Sequence, residues 1–411
     1  MTLLRDMAFR RFWIGQTVSL VGDQVSLFAV PLTAVLVLSA NATQMGLLTA
    51  AGLLPSLLLS LAAGSAIDRR GHRRRVMLAA DVGRAVLMVT IPVSYLLGRL
   101  GLPQMFAVTF AVGTLDVLFF VAYTALFVSV VPRDRYVEGE SLLNGSRAMS
   151  MIVGQSGAGL LVAAFSAPGA IVLDALTFLV SALTLARIRP VEPPVAEPGE
   201  GQLIAGARFI AASPIVRSAL GATATVNFFT FALNAIMILY ATRSLSVRPA
   251  ALGLVLGVGA VGGVLGALVA GRVTRRIGIG PTFIAGCVLF PAPLVLIPAA
   301  GGPHTLVLAC LVAAEFGSGV GVMLLDIAGG AIFAGVIPHE LRSRVSGAYR
   351  TVNYGMRPLG ALTGGMLGSA IGLRPTLWLA VGGAVTCALW LVRSPLPALR
   401  ELEPEPALPV R

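Results

Sequence analysis

Twelve runs of about twenty mostly apolar residues, joined by short polar connections, leave this chain only one solvent, lipid. A bilayer core about 30 Å thick is crossed by about 20 apolar residues in helical form. The runs fall near 12-38, 44-66, 76-97, 104-131, 141-164, 168-187, 215-241, 250-271, 281-300, 304-332, 346-370 and 374-392. In hydrocarbon every backbone N–H and C=O must find a partner, so runs of this length are helices rather than open strands. Composition agrees: only 12% of the 411 residues are charged, where a soluble domain carries about 25%. The expected fold class is an all-α membrane protein with twelve transmembrane helices. The first run is too long for a cleaved leader and its exit lacks a small-residue cleavage site, so it is expected to stay in the mature protein.

The formal charge of +12 would ordinarily suggest an acidic partner, and all 30 basic residues are Arg. Their positions decide otherwise. With the N-terminus inside, the alternate connections that face the cytoplasm hold 22 arginines, among them Arg10, Arg11, Arg73, Arg74, Arg75, Arg187, Arg275, Arg276, Arg342 and Arg344. The outer connections hold only Arg99, Arg243, Arg248 and Arg374, and Arg84, Arg147, Arg350 and Arg357 fall inside spans. That bias places both termini on the cytoplasmic side. Nucleic acid is excluded as a partner because the arginines are strung one loop at a time rather than gathered on one soluble face. Cys287, Cys310 and Cys387 lie far apart inside apolar runs, which argues against a disulfide framework or a zinc site.

The longest polar interruption runs from Arg187 to Gln202 with Pro190, Pro193, Pro194 and Pro198. It divides the chain into an N-terminal six-helix bundle (1-189), a cytoplasmic linker with an interfacial helix (190-213), a C-terminal six-helix bundle (214-393) and a tail (394-411). The halves echo each other. Gly64, Asp68, Arg69, Gly71, Arg73 and Arg74 after the second span are matched by Gly271, Arg275, Arg276 and Gly278 after the eighth, and Val131-Pro132 with Arg135 by Ile337-Pro338 with Arg342. Two related six-helix halves are the pattern of many secondary transporters, with the substrate site near the midplane.

These residues identify the chain as a member of the major facilitator superfamily by resemblance over essentially its whole length. Gly64, Asp68, Arg69, Gly71, Arg73 and Arg74 match that family's first-loop motif. The opening FRRFWIGQTVSLVGDQVS, the start of the third span around Asp81 and Arg84, and RPLGALTGG in the eleventh resemble the bacterial branch of transmembrane secretion effectors, which includes drug and siderophore exporters. The resemblance implies a monomeric bacterial cytoplasmic-membrane transporter that works by alternating access. It also implies a cavity lined mainly by spans 1, 4, 7 and 10, a cytoplasmic gate in which Asp68 meets the start of span 11, and proton-coupled export. The fifth span departs from the family's antiporter motif, because Gly154-Gln155-Ser156-Gly157-Ala158-Gly159 lacks its proline.

Ionisable groups in hydrocarbon cost about 2.5–3.5 kcal/mol each even on the lenient insertion scale, so each one asks for a reason. Asp23 and Gln16 share a face of the first span, seven residues apart. Asp116 lies in the fourth span, Asn227 and Asn234 in the seventh, and Glu315 and Asp326 in the tenth. A carboxylate partly withdrawn from water can exchange a proton within the physiological range. The proton-coupling candidates are therefore Asp23, then Asp326 and Glu315, then Asp116, each of which could equally be a structural polar contact between helices. Gln16, Asn227, Asn234, Asn353 and Arg357 are the substrate-cavity candidates, with Arg357 facing either Asp326 or an anionic group of a substrate. Arg147 is its counterpart in the first half. Asp81 and Arg84, three residues apart, read as a local ion pair, and Asp174 in the sixth span reads as structural.

Gly257, Gly259 and Gly262 spell a dinucleotide-type pattern, but inside an apolar span they make a ridge for close helix packing. His339-Glu340 begins a zinc-protease pattern whose second His is absent. No cofactor, metal or catalytic constellation is expected, and the partners are a small-molecule substrate, protons and the bilayer. Export of drug-like or secondary-metabolite compounds is the leading expectation. The alternatives are a uniporter or importer of a defined solute and, more remotely, a membrane receptor or enzyme.

Overall fold

The computed structural model describes residues 3–70, 72–188, 202–392 and 394–400, excepting the side chains of 60–70, 202–205, 339 and 343. The described residues form helices and turns without strands: α1 Met7–Leu36, α2 Ala42–Arg70, α3 Arg73–Leu96, α4 Leu102–Val130, α5 Tyr136–Phe165, α6 Ala167–Ala186, α7 Gln202–Ala212, α8 Pro214–Arg243, α9 Pro249–Ile277, α10 Ile279–Leu289, α11 Leu296–Ala299, α12 His304–Val336, α13 Arg342–Ala370, α14 Leu373–Val385 and α15 Leu389–Val392. Among the described residues eleven segments are long and apolar enough to cross a membrane; two of these join short pieces, α10 with α11 over Ile279–Ala299 and α14 with α15 over Leu373–Val392. The twelfth expected span, α13, is 29 residues long but carries Arg342, Arg344, Arg350 and Arg357, so composition alone does not select it.

Local sequence explains the ends. Asp6 caps α1 by accepting a hydrogen bond from the Phe9 amide at 2.9 Å, and the Ser166 hydroxyl accepts from the Gly169 amide at 3.3 Å at the start of α6; both satisfy amides that a helix leaves open. Gly278, between α9 and α10, has φ +95, and a Cβ there would lie 2.8 Å from the Arg400 backbone. Only glycine meets both demands.

The chain forms two compact units. One comprises Met1–Pro198, Ala235–Gly257 and Ala361–Ala370; the other comprises Gly199–Asn234, Val258–Gly360 and Ile371–Arg411. In the first, α1 packs on α5 and α6, α2 on α4, and α3 on α4 and α6. The α1–α6 approach needs bare backbone: a Cβ on Gly15 would sit 2.2 Å from Thr184 Oγ1, and one on Gly22 would sit 2.0 Å from Thr177 Oγ1. In the second unit α10 lies against α12, and Gly262 and Gly266 of α9 face the Phe316 and Val320 carbonyls of α12. Gly262 of the dinucleotide-like pattern and Gly266 one turn on are thus part of a packing ridge, as small residues are at membrane helix contacts. Helix α7 is held within the second unit through Ile210, which clusters with Val216, Ile337 and Val345. Cys287 and Cys387, a hundred residues apart, meet there as free thiols, with the Cys387 Sγ donating to the Cys287 carbonyl at 3.3 Å.

Several of the loop arginines close helix ends. Arg74 Nε donates to the Leu185 carbonyl at 2.9 Å and its Nη2 to Ala186, while Arg11 Nη1 donates to the Arg187 carbonyl at 2.8 Å. Together they neutralise the carbonyl end of α6, where the helix dipole favours cations. Arg342 does the same for α12 through Ile337 O at 3.1 Å and Ala334 O. Replacing Arg74 by Ala is expected to destabilise the protein by about 1–2 kcal/mol at this half-buried site, whereas exposed Arg75→Ala leaves it unchanged. Thermal melting of the purified variants reads this directly, and equal melting of the two would remove the capping role.

Candidate functional site

A buried arginine organises the first unit. Arg84 on α3 is 3% exposed. Its Nη1 donates to Asp116 Oδ1 on α4 at 2.7 Å, and its Nη2 donates to Asp81 Oδ1 one turn back on its own helix. The guanidinium carbon also lies over the rings of Phe119 of α4 and Phe178 of α6, 4.3 Å from each ring centre. Arginine suits this role because a planar, delocalised cation can stack and fork at once. Asp81 is fully buried, while the Asp116 side chain keeps 51% of its surface open, toward an internal cavity.

That cavity has a volume of about 200 Å³ and is walled by Gln16, Ser19, Leu20 and Asp23 of α1, Arg84 of α3, Asp116, Phe119, Phe120 and Tyr123 of α4, and Arg147 of α5. Asp23 lies within electrostatic reach of Asp174, Arg84, Asp116 and Asp81. Asp174 on α6 is 1% exposed, and its Oδ1 accepts from Thr177 Oγ1 at 3.3 Å. Four carboxylates therefore surround one guanidinium. Gln16 is 6% exposed, and its Nε2 has no partner among the described residues. Arg147 sits 5.9 Å from the Tyr123 ring centre and reaches Asn144 at 3.4 Å.

A second cavity of about 560 Å³ lies in the second unit, between α8, α10, α12 and α13. Arg357 of α13 donates through Nε to Asn227 Oδ1 of α8 at 2.9 Å. The Asn227 amide donates in turn to Asn353 Oδ1 at 2.6 Å and to the Thr223 carbonyl at 2.9 Å. Tyr354 stacks under the guanidinium at 4.2 Å, and Phe231 lies 5.1 Å away. Tyr349 hydrogen-bonds Thr223 at 2.7 Å. Asp326 and Arg350 face the same space, with Asp326 in no ion pair among the described residues.

The structure thus brings Asp23, Asp116 and Gln16 together in one cavity and Asn227, Asn353, Arg357 and Asp326 in the other. Asn234 and Glu315 line neither. Seven residues preserve a helix face but move about 10 Å along the axis, and eleven move about 16 Å, so Asn234 and Glu315 share faces with Asn227 and Asp326 at another depth. The Glu315 carboxylate instead packs on Gly259 of α9. Of the loop motif, the side chains of Gly64, Asp68 and Arg69, and all of Gly71, lie outside the described residues; Arg73 is buried at 5% exposure and Arg74 caps α6. The reading of Asp81 and Arg84 as a self-contained pair is too narrow, because the same guanidinium also holds Asp116. Asp174 was visible as a lone acid in an apolar run, but nothing in its own helix showed that α1, α3 and α4 would bring three more acids near it. Among the described residues no group of His, Cys, Asp or Glu is arranged to hold a metal ion.

A family model described as transmembrane secretion effector matches residues 1–410. The chain belongs to the transmembrane secretion effectors of the major facilitator superfamily. It is 29% identical over 402 residues to the "Multidrug efflux pump Tap" of Mycobacterium tuberculosis, covering 94% of this chain and 92% of that one. The protein of the same name from Mycolicibacterium fortuitum is 25% identical over 397 residues, 93% of this chain and 94% of its own. Among solved structures, a bacterial homologue of the iron transporter ferroportin in an inward-facing state superposes with a TM-score of 0.76 at 16% identity, over 96% of this chain and 99% of that one. A bacterial homologue of the lysosomal transporter Spinster gives 0.76 at 14% identity, over 99% and 100%. This secretion effector is a transporter rather than an enzyme.

Removing Arg84 from the transporter leaves Asp81 charged and enclosed, a loss worth about 3–5 kcal/mol for a buried pair. Arg84→Gln is expected to lower the melting temperature sharply, and Asp81→Asn in the same chain to restore part of it. A double-mutant cycle measures the coupling; additive effects would mean that the two groups do not depend on each other.

Proposed function

We propose that this transporter is a proton-coupled exporter of drug-like or secondary-metabolite small molecules, acting as a monomer in a bacterial cytoplasmic membrane with both termini in the cytoplasm. One observation carries the coupling: two carboxylates in the first unit are bound to one guanidinium and two more, Asp23 and Asp174, lie within its electrostatic reach. An excess of negative charge is costly in a low-dielectric site, and that is the setting in which a carboxylate can serve as a proton carrier. Asp81 and Asp116 are bound to Arg84, and Asp174 is enclosed by α1 and α6. Asp23 borders the cavity without a hydrogen bond to Arg84 among the described residues, which makes it the first choice for the proton carrier, with Asp116 after it.

In the proposed cycle a proton from the outer side reaches Asp23 as substrate leaves, and passes to the cytoplasm as the next substrate binds. The halves 1-189 and 214-393 alternate access, and Asp68 with its neighbouring arginines latches the inner face. Similarity to proteins named as multidrug efflux pumps supports the direction and the breadth of substrates. A uniporter would have no use for the surplus acids.

The test is substrate-dependent proton flux in proteoliposomes with a panel of hydrophobic compounds. Wild type is expected to move compound against an inward proton flux. Asp23→Asn is expected to lose export driven by a pH gradient and to keep exchange of compound for compound. Full gradient-driven export by Asp23→Asn would exclude it as the carrier, and transport indifferent to the gradient in wild type would overturn proton coupling altogether.

A further inference from the structure

The cavity of the second unit is built for one particular chemistry. Arg357 is fixed on three sides: its Nε edge is held by Asn227, one face rests on Tyr354 at 4.2 Å, and Phe231 lies 5.1 Å from the guanidinium carbon. Asn227 is itself fixed by Asn353 and the Thr223 carbonyl, so the guanidinium is oriented before anything binds. Its two Nη groups have no hydrogen-bond partner among the described residues, and they border a space of about 560 Å³.

An exposed Nη pair matches two oxygens of a planar anion, in the bidentate geometry that distinguishes arginine from lysine. The charge around the cavity points the same way. Arg350 and Arg357 face Asp326 as the single carboxylate among the lining residues, and two cations against one anion favour a negative guest. Tyr349 and Tyr354 add hydroxyls rather than charge, and Phe283, Phe290 and Phe333 supply aromatic walls. Flat rings fill such walls by offset or edge contacts. The first unit's cavity has no such surplus of cations, with Asp23 and Asp116 set against Arg84 and Arg147.

We propose that the second-unit cavity binds aromatic carboxylates, with the carboxylate forked on the Nη edge of Arg357 and the ring system held among the phenylalanines. This rests on the reading of the chain as an exporter of hydrophobic compounds, and it names the substrate class that reading leaves open. Asp326 then acts as the competing internal anion, close enough to feel Arg357 but not paired with it.

The experiment measures binding of 1-naphthoate, neutral 1-naphthamide and cationic 1-naphthylmethylamine to the full chain in lipid nanodiscs, with empty discs subtracted. Wild type is expected to prefer naphthoate by about ten-fold or more over both others. Arg357→Gln removes that preference and leaves naphthamide binding where it was, Arg357→Lys keeps part of it through charge without the fork, and Asp326→Asn tightens naphthoate. Should Arg357→Gln fail to fold, the Lys and Asn arms still read the fork and the competition. Equal or tighter binding of the amine, or unchanged naphthoate binding in the Arg357 variants, overturns the proposal. The exporter reading is judged separately by the compound panel: panel compounds exported without naphthoate binding sinks only this site, whereas naphthoate bound and no compound moved sinks only the exporter.

Discussion

A guanidinium with no water to retreat to governs the first unit. Arg84 lies in the interior of a span, where an unpaired charge costs several kcal/mol, and its neighbours answer that cost at both Nη groups and with aromatic rings, while its Nε has no hydrogen-bond partner among the described residues. Asp81 and Asp116 take its Nη edge, and the Phe119 and Phe178 rings lie against it. Those partners come from α3, α4 and α6, so the cation holds three helices in register. Close packing makes that possible. Gly22 brings α1 so near α6 that Asp174 Oδ1 lies 2.5 Å from where a Cβ would stand, and the next residue is Asp23. The glycine that permits the contact also delivers the acid.

The same constraint, met at the membrane surface, explains the arginines of the connections. A span ends with carbonyls that have no intrahelical partner, and at a bilayer boundary these need a donor that can reach water and helix at once. Arg74, Arg11 and Arg342 serve this purpose. A concentration of arginines in alternate connections and a capped helix end are thus two consequences of one placement, and a loop arginine in this chain cannot be assigned to topology alone.

Spans and their number were legible in the sequence because hydrocarbon thickness fixes the length of an apolar run. The identity of many site residues was legible too, since acids and amides in such runs stand out: Asp23, Asp116, Asp326, Asn227 and Arg357 all border the two cavities. What the sequence did not carry was depth and partnership. Helical spacing says that Asn227 and Asn234 share a face, but not that the cavity ends between them. It pairs Asp81 with Arg84, three residues apart, but cannot pair Arg84 with Asp116, 32 residues away on another helix. Cys287 and Cys387 make the same point, separate in sequence and adjacent in the fold. The span over Arg342–Ala370 is a converse case: its arginines together with Asn353, Tyr354, Pro358 and its glycines hide it from a hydropathy criterion, because a helix bordering a polar cavity need not be apolar all round.

The two units differ in the charge gathered around their buried arginines, and that difference bears on how coupling could work. Acids outnumber their cation around Arg84 in the first unit, whereas cations outnumber the acid around Arg357 in the second. Under the proposed cycle, proton and substrate therefore do not compete for one atom, since a carboxylate guest and a proton would choose different units. Direct displacement is then unavailable as the coupling step. What remains is a coupling free energy between two sites, each favouring one arrangement of the protein, and such coupling is reciprocal: whatever protonation does to substrate affinity, substrate must do to proton affinity. The rigid parts suited to carry it are the ones already described, a guanidinium that ties α3 to α4 and another that ties α13 to α8, because each can hold its helices in register only while its own charge partners stay in place.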